Sequence, residues 1–141
     1  MLNWSANSID ANREKVVINA TSRSGVLADI ERHLKSRQGF AIATLNLDHV
    51  VKMRRDAAFH RAYLGHSHVT ADGRPVVWLS RLAGRQVELV PGSELVEPIA
   101  AIAAKHGIAV AFLGSTEEAL LKAEDELCRR LPTLKVVARI A

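Results

Sequence analysis

Thr44-Leu45-Asn46-Leu47-Asp48-His49-Val50-Val51 and His68-Val69-Thr70-Ala71-Asp72-Gly73 are the two stretches from which the fold of this chain is read. Each begins as a short β-type run, turns through small polar residues and passes directly into a helical pattern. Strand, tight turn and helix in that succession form the repeating unit of an open parallel sheet. Ligands of such sheets collect beyond the carboxyl ends of the strands, where these turns lie. Asp72 is the only acidic residue in either turn that directly ends a predicted strand, which makes it the leading candidate for chemistry.

The same alternation extends in both directions. Upstream, residues 15–19 are short, apolar and β-branched, and predict a strand. Residues 21–25 carry caps, and Val26, Ile30 and Leu34 recur at helical spacing until Gly39 stops the helix. Residues 40–44 form the second predicted strand. Asn46 is a suitable N-cap for a helix whose Leu47, Val50 and Val51 share one face. A second helical piece spans 57–64 and stops at Gly65. Downstream, Pro75 fits the first position of a helix that ends before Gly84, and residues 87–90 read as a short extended piece. A helix beginning at Glu94 or Pro98 runs to His106. Residues 108–113 are the clearest strand, followed by Gly114 and by Ser115-Thr116-Glu117-Glu118, which reads as a capping box. Leu120, Ala123, Leu127 and Leu131 line that helix, Pro132 ends it, and residues 134–138 open a last strand. The pattern predicts one Rossmann-like α/β domain over 1–141, a mainly parallel sheet with helices on both faces and a loose lead-in over 1–13.

Composition narrows the function classes. The chain has 141 residues, 48% hydrophobic, with a net charge of +4, ordinary for one globular domain. No window approaches the roughly 18 apolar residues of a membrane span, and the N-terminus lacks the pattern of a signal peptide. The single cysteine, Cys128, lies in a helical pattern and reads as a packing residue, consistent with a reducing cytoplasm. Aromatics are only 4%, and no basic run is interleaved with stacking residues, so nucleic acid is not an expected partner. Lys52, Arg54 and Arg55 read as a solvated face and helix end in preference to the alternative, a binding patch. The P-loop, dinucleotide-fingerprint, zinc-protease and hydrolase-elbow motifs are all missing. His60, His66 and His68 lack a recognised metal-ligand spacing, so no metal site is expected.

Three turns are left on one expected sheet edge: Thr44-Leu45-Asn46, Asp72-Gly73 and Gly114-Ser115. Small residues there let backbone N–H groups approach a phosphate or sugar. Each also has a purely structural reading, with Asn46, Asp72 and Ser115 serving as helix caps. Glu117 and Glu118 bring negative charge to the helix end beside Gly114-Ser115, which argues against a tight diphosphate cradle there.

Over residues 39–137 the chain resembles the WecG/TagA/CpsF family of bacterial glycosyltransferases. The resemblance is carried by Thr44-Leu45-Asn46 after a strand, and by Ala71-Asp72-Gly73 followed by the apolar-Trp helix of Val76-Val77-Trp78. Gly92-Ser93-Glu94-Leu95 and Phe112-Leu113-Gly114-Ser115 complete it. It implies inverting transfer of an N-acetylhexosamine-type sugar from a UDP donor to a polyprenyl-diphosphate-linked saccharide, in assembly of exopolysaccharide or other cell-surface polysaccharide. Asp72 matches the family's general base, while Thr44, Asn46, Gly73, Gly92, Glu94, Gly114 and Ser115 match substrate-binding positions. The resemblance implies no cofactor or required metal, and a cytoplasmic enzyme working peripherally at the inner face of the plasma membrane. Where the family carries an arginine and a threonine before its Gly-x-(Asp/Glu) motif, this chain has Leu89 and Pro91, with Arg85 as the nearby cation. The family also continues into further strands and helices bearing a Pro-Lys-Gln-Glu motif. A chain ending at Ala141 is therefore expected to leave its last strand with an open edge and an uncovered apolar face, to be covered by a second copy or a partner chain. The alternative is a non-catalytic nucleotide-sugar-binding or interaction module.

Overall fold

A computed structural model describes residues 14–141; the lead-in expected over 1–13 falls outside them. The elements run α1 (Arg23–Ser36), β1 (Ile42–Leu45), α2 (Leu47–Arg55), α3 (Ala57–Leu64), β2 (His68–Ala71) and α4 (Arg74–Leu82). Then follow α5 (Ser93–Lys105), β3 (Ala109–Leu113), α6 (Glu117–Arg130) and β4 (Lys135–Ile140). The class is mixed α/β, and every strand pairing is parallel.

The strands form two parallel pairs, β1 with β2 and β3 with β4, in place of the single sheet expected from the sequence. Between the pairs lies an apolar cleft lined by Ile42 and Thr44 of β1, Leu95 and Ile99 of α5, and Val110 and Phe112 of β3. Side chains from α5 thus occupy the walls between the strands that a continuous sheet would have joined.

Residues 15–19 do not form a ladder strand either. Val16, Ile18 and Ala20 are buried in strand-like alternation. Yet the Asn19 side chain makes the bonds a neighbouring backbone would have made: Oδ1 accepts from Val69 N–H at 2.7 Å and Nδ2 donates to the Ser67 carbonyl at 2.8 Å. The extended piece at 87–90 behaves similarly, tied by Val90 N–H to the Ala71 carbonyl and by Thr70 Oγ1 to the Val90 carbonyl. Both segments are extended and buried without being regular strands.

Helix ends follow local chemistry, with three shifts. Ser22 caps α1 by accepting from Gly25 N–H. Its other end closes at Arg37, in the left-handed region at φ 54°, and not at Gly39. The Gln38 N–H reaches the His33 carbonyl and the Arg37 N–H reaches Leu34, the paired bonds of a Schellman closure. Pro75 takes the second position of α4, because Gly73 is the cap residue. Thr116 caps α6 through Ala119 N–H, while Ser115 sits at φ 67° and takes no part. The cap therefore sits one residue beyond Ser115, and with Ala119 at its third position the expected capping box does not form. A left-handed residue cannot adopt the extended backbone that an N-cap needs.

Packing divides by face. Leu45, Met53, Tyr63, Val69, Ala71, Val76 and Val77 join β1 and β2 to α2, α3 and α4. On the other side Ile42 packs with Val26, Ile30, Val90 and Leu95, which belong mainly to α1 and α5. Helices thus cover both faces of the first pair. The second pair is covered on one face only, where Val110, Phe112 and Val136 meet Ala100, Ala103 and Leu127 of α5 and α6. On its other face Leu113 and Ile140 are 80% and 56% exposed. Cys128 packs at the margin of that third cluster.

Candidate functional site

The parallel register sets Thr44 opposite Thr70 and Leu45 opposite Ala71. Asp72 is therefore the first residue beyond β2, and its N–H closes the pair by donating to the Leu45 carbonyl at 2.8 Å. Gly73 then turns the chain into α4 at φ 105° and ψ 137°, a conformation that side-chain-bearing residues avoid. Because Gly73 is the cap residue and makes no side-chain cap bond, Asp72 is released from the capping role that the sequence had offered it. Its carboxylate faces β1 instead, where Thr44 Oγ1 donates to Oδ2 at 3.2 Å. The other oxygen, Oδ1, has no hydrogen bond among the described residues and keeps its capacity to accept one.

Behind Thr44 lie two residues that the sequence reading passed over. Tyr63, buried on α3, donates its hydroxyl to the Thr44 carbonyl at 2.6 Å. His49 Nδ1, on the first turns of α2, is 2.6 Å from the same hydroxyl and 3.0 Å from that carbonyl. With the tyrosine proton on the carbonyl, Nδ1 is assigned as the donor to the tyrosine oxygen, leaving Nε2 as an acceptor. Burial pushes the Tyr63 hydroxyl up to about 12, and the negative charge of Asp72 adds to the effect. Tyr63 therefore stays a proton donor throughout the physiological range and holds the end of β1 in place. It is the only tyrosine in the chain. That was the available signal, but the sequence reading placed the residue only within the helical piece 57–64.

The other expected residues separate into those near this cluster and those elsewhere. Asn46 caps α2 through Oδ1, which accepts from His49 N–H at 2.9 Å, and its Nδ2 has no partner among the described residues. Gly92 lies directly against Thr44: a Cβ there would meet Thr44 Cγ2 at 3.2 Å. Both line the apolar cleft, which measures about 340 Å³. Glu94, by contrast, faces Arg23 of α1 at 3.9 Å. Gly114 and Ser115 form the left-handed turn after β3, at φ 96° and 67°. The cleft reaches that strand as far as Phe112. Glu117 and Glu118 occupy the first turn of α6, with Glu117 paired to Arg139. Arg85 is exposed.

Among the described residues, no group of three or more His, Cys, Asp or Glu side chains could hold a metal ion. The three histidines near β2 diverge. His60 is buried on α3, His66 bonds the Ala62 carbonyl, and His68 turns to His33, Phe40 and Asp29. No described helix is long and apolar enough to cross a membrane. The arrangement thus offers one hydrogen-bonded carboxylate beside an apolar cleft, with small residues and uncapped helix N–H groups around it.

No curated protein matches the chain. The sequence model described as the Glycosyl transferase WecG/TagA/CpsF family matches residues 12–141, nearly the whole chain.

Proposed function

Since this chain belongs to the WecG/TagA/CpsF family of glycosyltransferases, we propose that it uses Asp72 as general base in transferring an N-acetylhexosamine-type sugar. The donor is a UDP-sugar and the acceptor a polyprenyl-diphosphate-linked saccharide. The product serves exopolysaccharide or other cell-surface polysaccharide assembly at the inner face of the plasma membrane. The observation that carries the reading is the Thr44–Asp72 hydrogen bond. It engages one carboxylate oxygen and leaves the other without a hydrogen bond among the described residues, while Gly73 takes the cap position of α4.

In the proposed step the acceptor hydroxyl gives its proton to Asp72 Oδ1 as its oxygen forms a bond to the anomeric carbon. The bond from that carbon to the donor diphosphate breaks on the opposite side, UDP departs and the configuration inverts. Thr44, Asn46 and Gly92 would line the donor side, the last because its missing side chain keeps Thr44 in place. Gly73, Glu94, Gly114 and Ser115 remain candidate substrate contacts by motif. The departing diphosphate needs positive charge. The N-terminus of α4, with no acidic residue in its first turn, contributes some, and Arg85 is the candidate side chain. A second copy or a partner chain over the exposed face of β4 belongs to the same reading.

Calorimetric titration with UDP and UDP-N-acetylmannosamine, beside a transfer assay, tests it on the parent chain and on Asp72→Asn. The expected result is donor binding in both and transfer reduced at least about 100-fold in the variant. Donor binding without transfer in the parent would favour the non-catalytic binding module. A folded chain that binds no donor would remove the donor site altogether.

A further inference from the structure

Helix α4 is apolar on two faces, and only one is used. Val76, Val77 and Ser80 enter the core. Trp78 and Leu82, four residues apart on the opposite face, are 63% and 87% exposed, with Leu79 beside them. A single exposed leucine needs no explanation, but an exposed tryptophan stacked one turn from a nearly bare leucine marks a contact surface.

The charge around this stripe is of one sign. Residues 73–87 contain Arg74, Arg81 and Arg85 and no aspartate or glutamate. By helical geometry Arg74 and Arg81 flank one side of the Trp78–Leu82 line. No ion pair is recorded for any of the three among the described residues. Elsewhere a number of cations are matched: Arg32 with Asp29, Lys35 and Lys105 with Glu31, Lys122 with Glu118, Arg129 and Arg130 with Glu126, and Arg139 with Glu117. Unpaired positive charge therefore lies beside the apolar side chains that stand out on α4.

We infer that the outer face of α4 docks on a lipid surface carrying anionic headgroups. Trp78, Leu79 and Leu82 enter the boundary between headgroups and acyl chains, and Arg74 and Arg81 meet lipid phosphates. An indole suits that boundary because its ring is apolar and its N–H remains hydrogen-bonded. An arginine beside it can extend its guanidinium to the phosphates while its stem stays on apolar surface. Helix α4 is short, so this attachment is reversible and depends on both apolar area and charge. The helix begins directly after Asp72-Gly73, and Leu82 lies about 15 Å along its axis from Asp72. Docking therefore holds the turn that bears Asp72 close to the bilayer. The value of that placement for a lipid-linked acceptor rests on the transferase reading; the docking itself does not.

The test is co-sedimentation and tryptophan emission with vesicles of phosphatidylcholine plus phosphatidylglycerol, compared with phosphatidylcholine alone. The whole chain is used with Trp4→Phe, so that emission reports Trp78. Binding to the anionic vesicles with a blue-shifted emission, little binding to the neutral ones and loss in high salt are expected. Trp78→Ser with Leu82→Ser should abolish binding, and Arg74→Gln and Arg81→Gln should each weaken it roughly five-fold. These side chains are exposed, so unchanged melting temperatures show that the variants remain folded. Asp72→Asn should bind vesicles like the parent, which separates this inference from the catalytic one. No association with anionic vesicles, equal association with neutral ones, or binding unaffected by the Trp78 and Leu82 changes would overturn it.

Discussion

The hydroxyl of Tyr63 shows how one atom organises the candidate site. It satisfies the Thr44 carbonyl at the end of β1 and touches His49, while Thr44 in turn holds Asp72. Tyr63→Phe keeps the ring in the core and removes only the donor. Chemical denaturation should show a loss of about 1 kcal/mol, the usual net value of such a bond. The functional loss should be larger than that stability change suggests, seen as a lower transfer rate under conditions where the variant is fully folded. At this scale the sequence was only partly legible. Asp72 could be singled out because it is the acid that ends a strand, and Asn46 because it precedes an apolar helical face. Tyr63 and His49 could not, since the spacing that puts them on a helix says nothing about which carbonyl they approach from another element.

At the scale of elements, caps and inter-helix charges give two separable expectations. Thr116 and not Ser115 caps α6. Thr116→Ala should therefore cost about 1 kcal/mol in thermal or urea denaturation, whereas Ser115→Gly should stabilise slightly by relieving a left-handed residue. The second concerns the contact of α1 with α5. Glu31 is held down to about 2, first by its hydrogen bond from Lys105 and then by those from His106 and Lys35. A carboxylate depressed in the folded state stabilises it above the unfolded value of about 4.5. That contribution is lost as the pH falls through about 2. Melting temperature should decline over this window in the parent, and Glu31→Gln should decline less steeply there. The helices themselves were largely predicted, because periodicity and capping are local. Their ends shifted at Gly39 and Ser115 because a backbone turn is chosen by the bonds it closes, and residue preference is only one contribution.

For the whole molecule, the cleft between β1, α5 and β3 is the cavity against which the proposed donor site can be tested. Ala111 lies on its wall, as do Thr44 and Gly92. Ala111→Leu should fill part of that space and lower donor affinity at least about ten-fold in calorimetry, with the melting temperature kept. An unchanged affinity would detach the cleft from the donor site. The sequence by itself determined the α/β class, the parallel direction of the strands, most helices and the family, because all of these rest on local periodicity, turn chemistry and linear motifs. Only the tertiary structure decided that the strands form two pairs, that Asn19 and Thr70 side chains stand in for backbone bonds, and that Asp72 leaves its helix to meet Thr44. It also decided that α4 turns a second apolar face outward. Such outcomes depend on which groups distant in the chain compete for the same hydrogen bond or the same buried surface, and a linear pattern does not carry that competition.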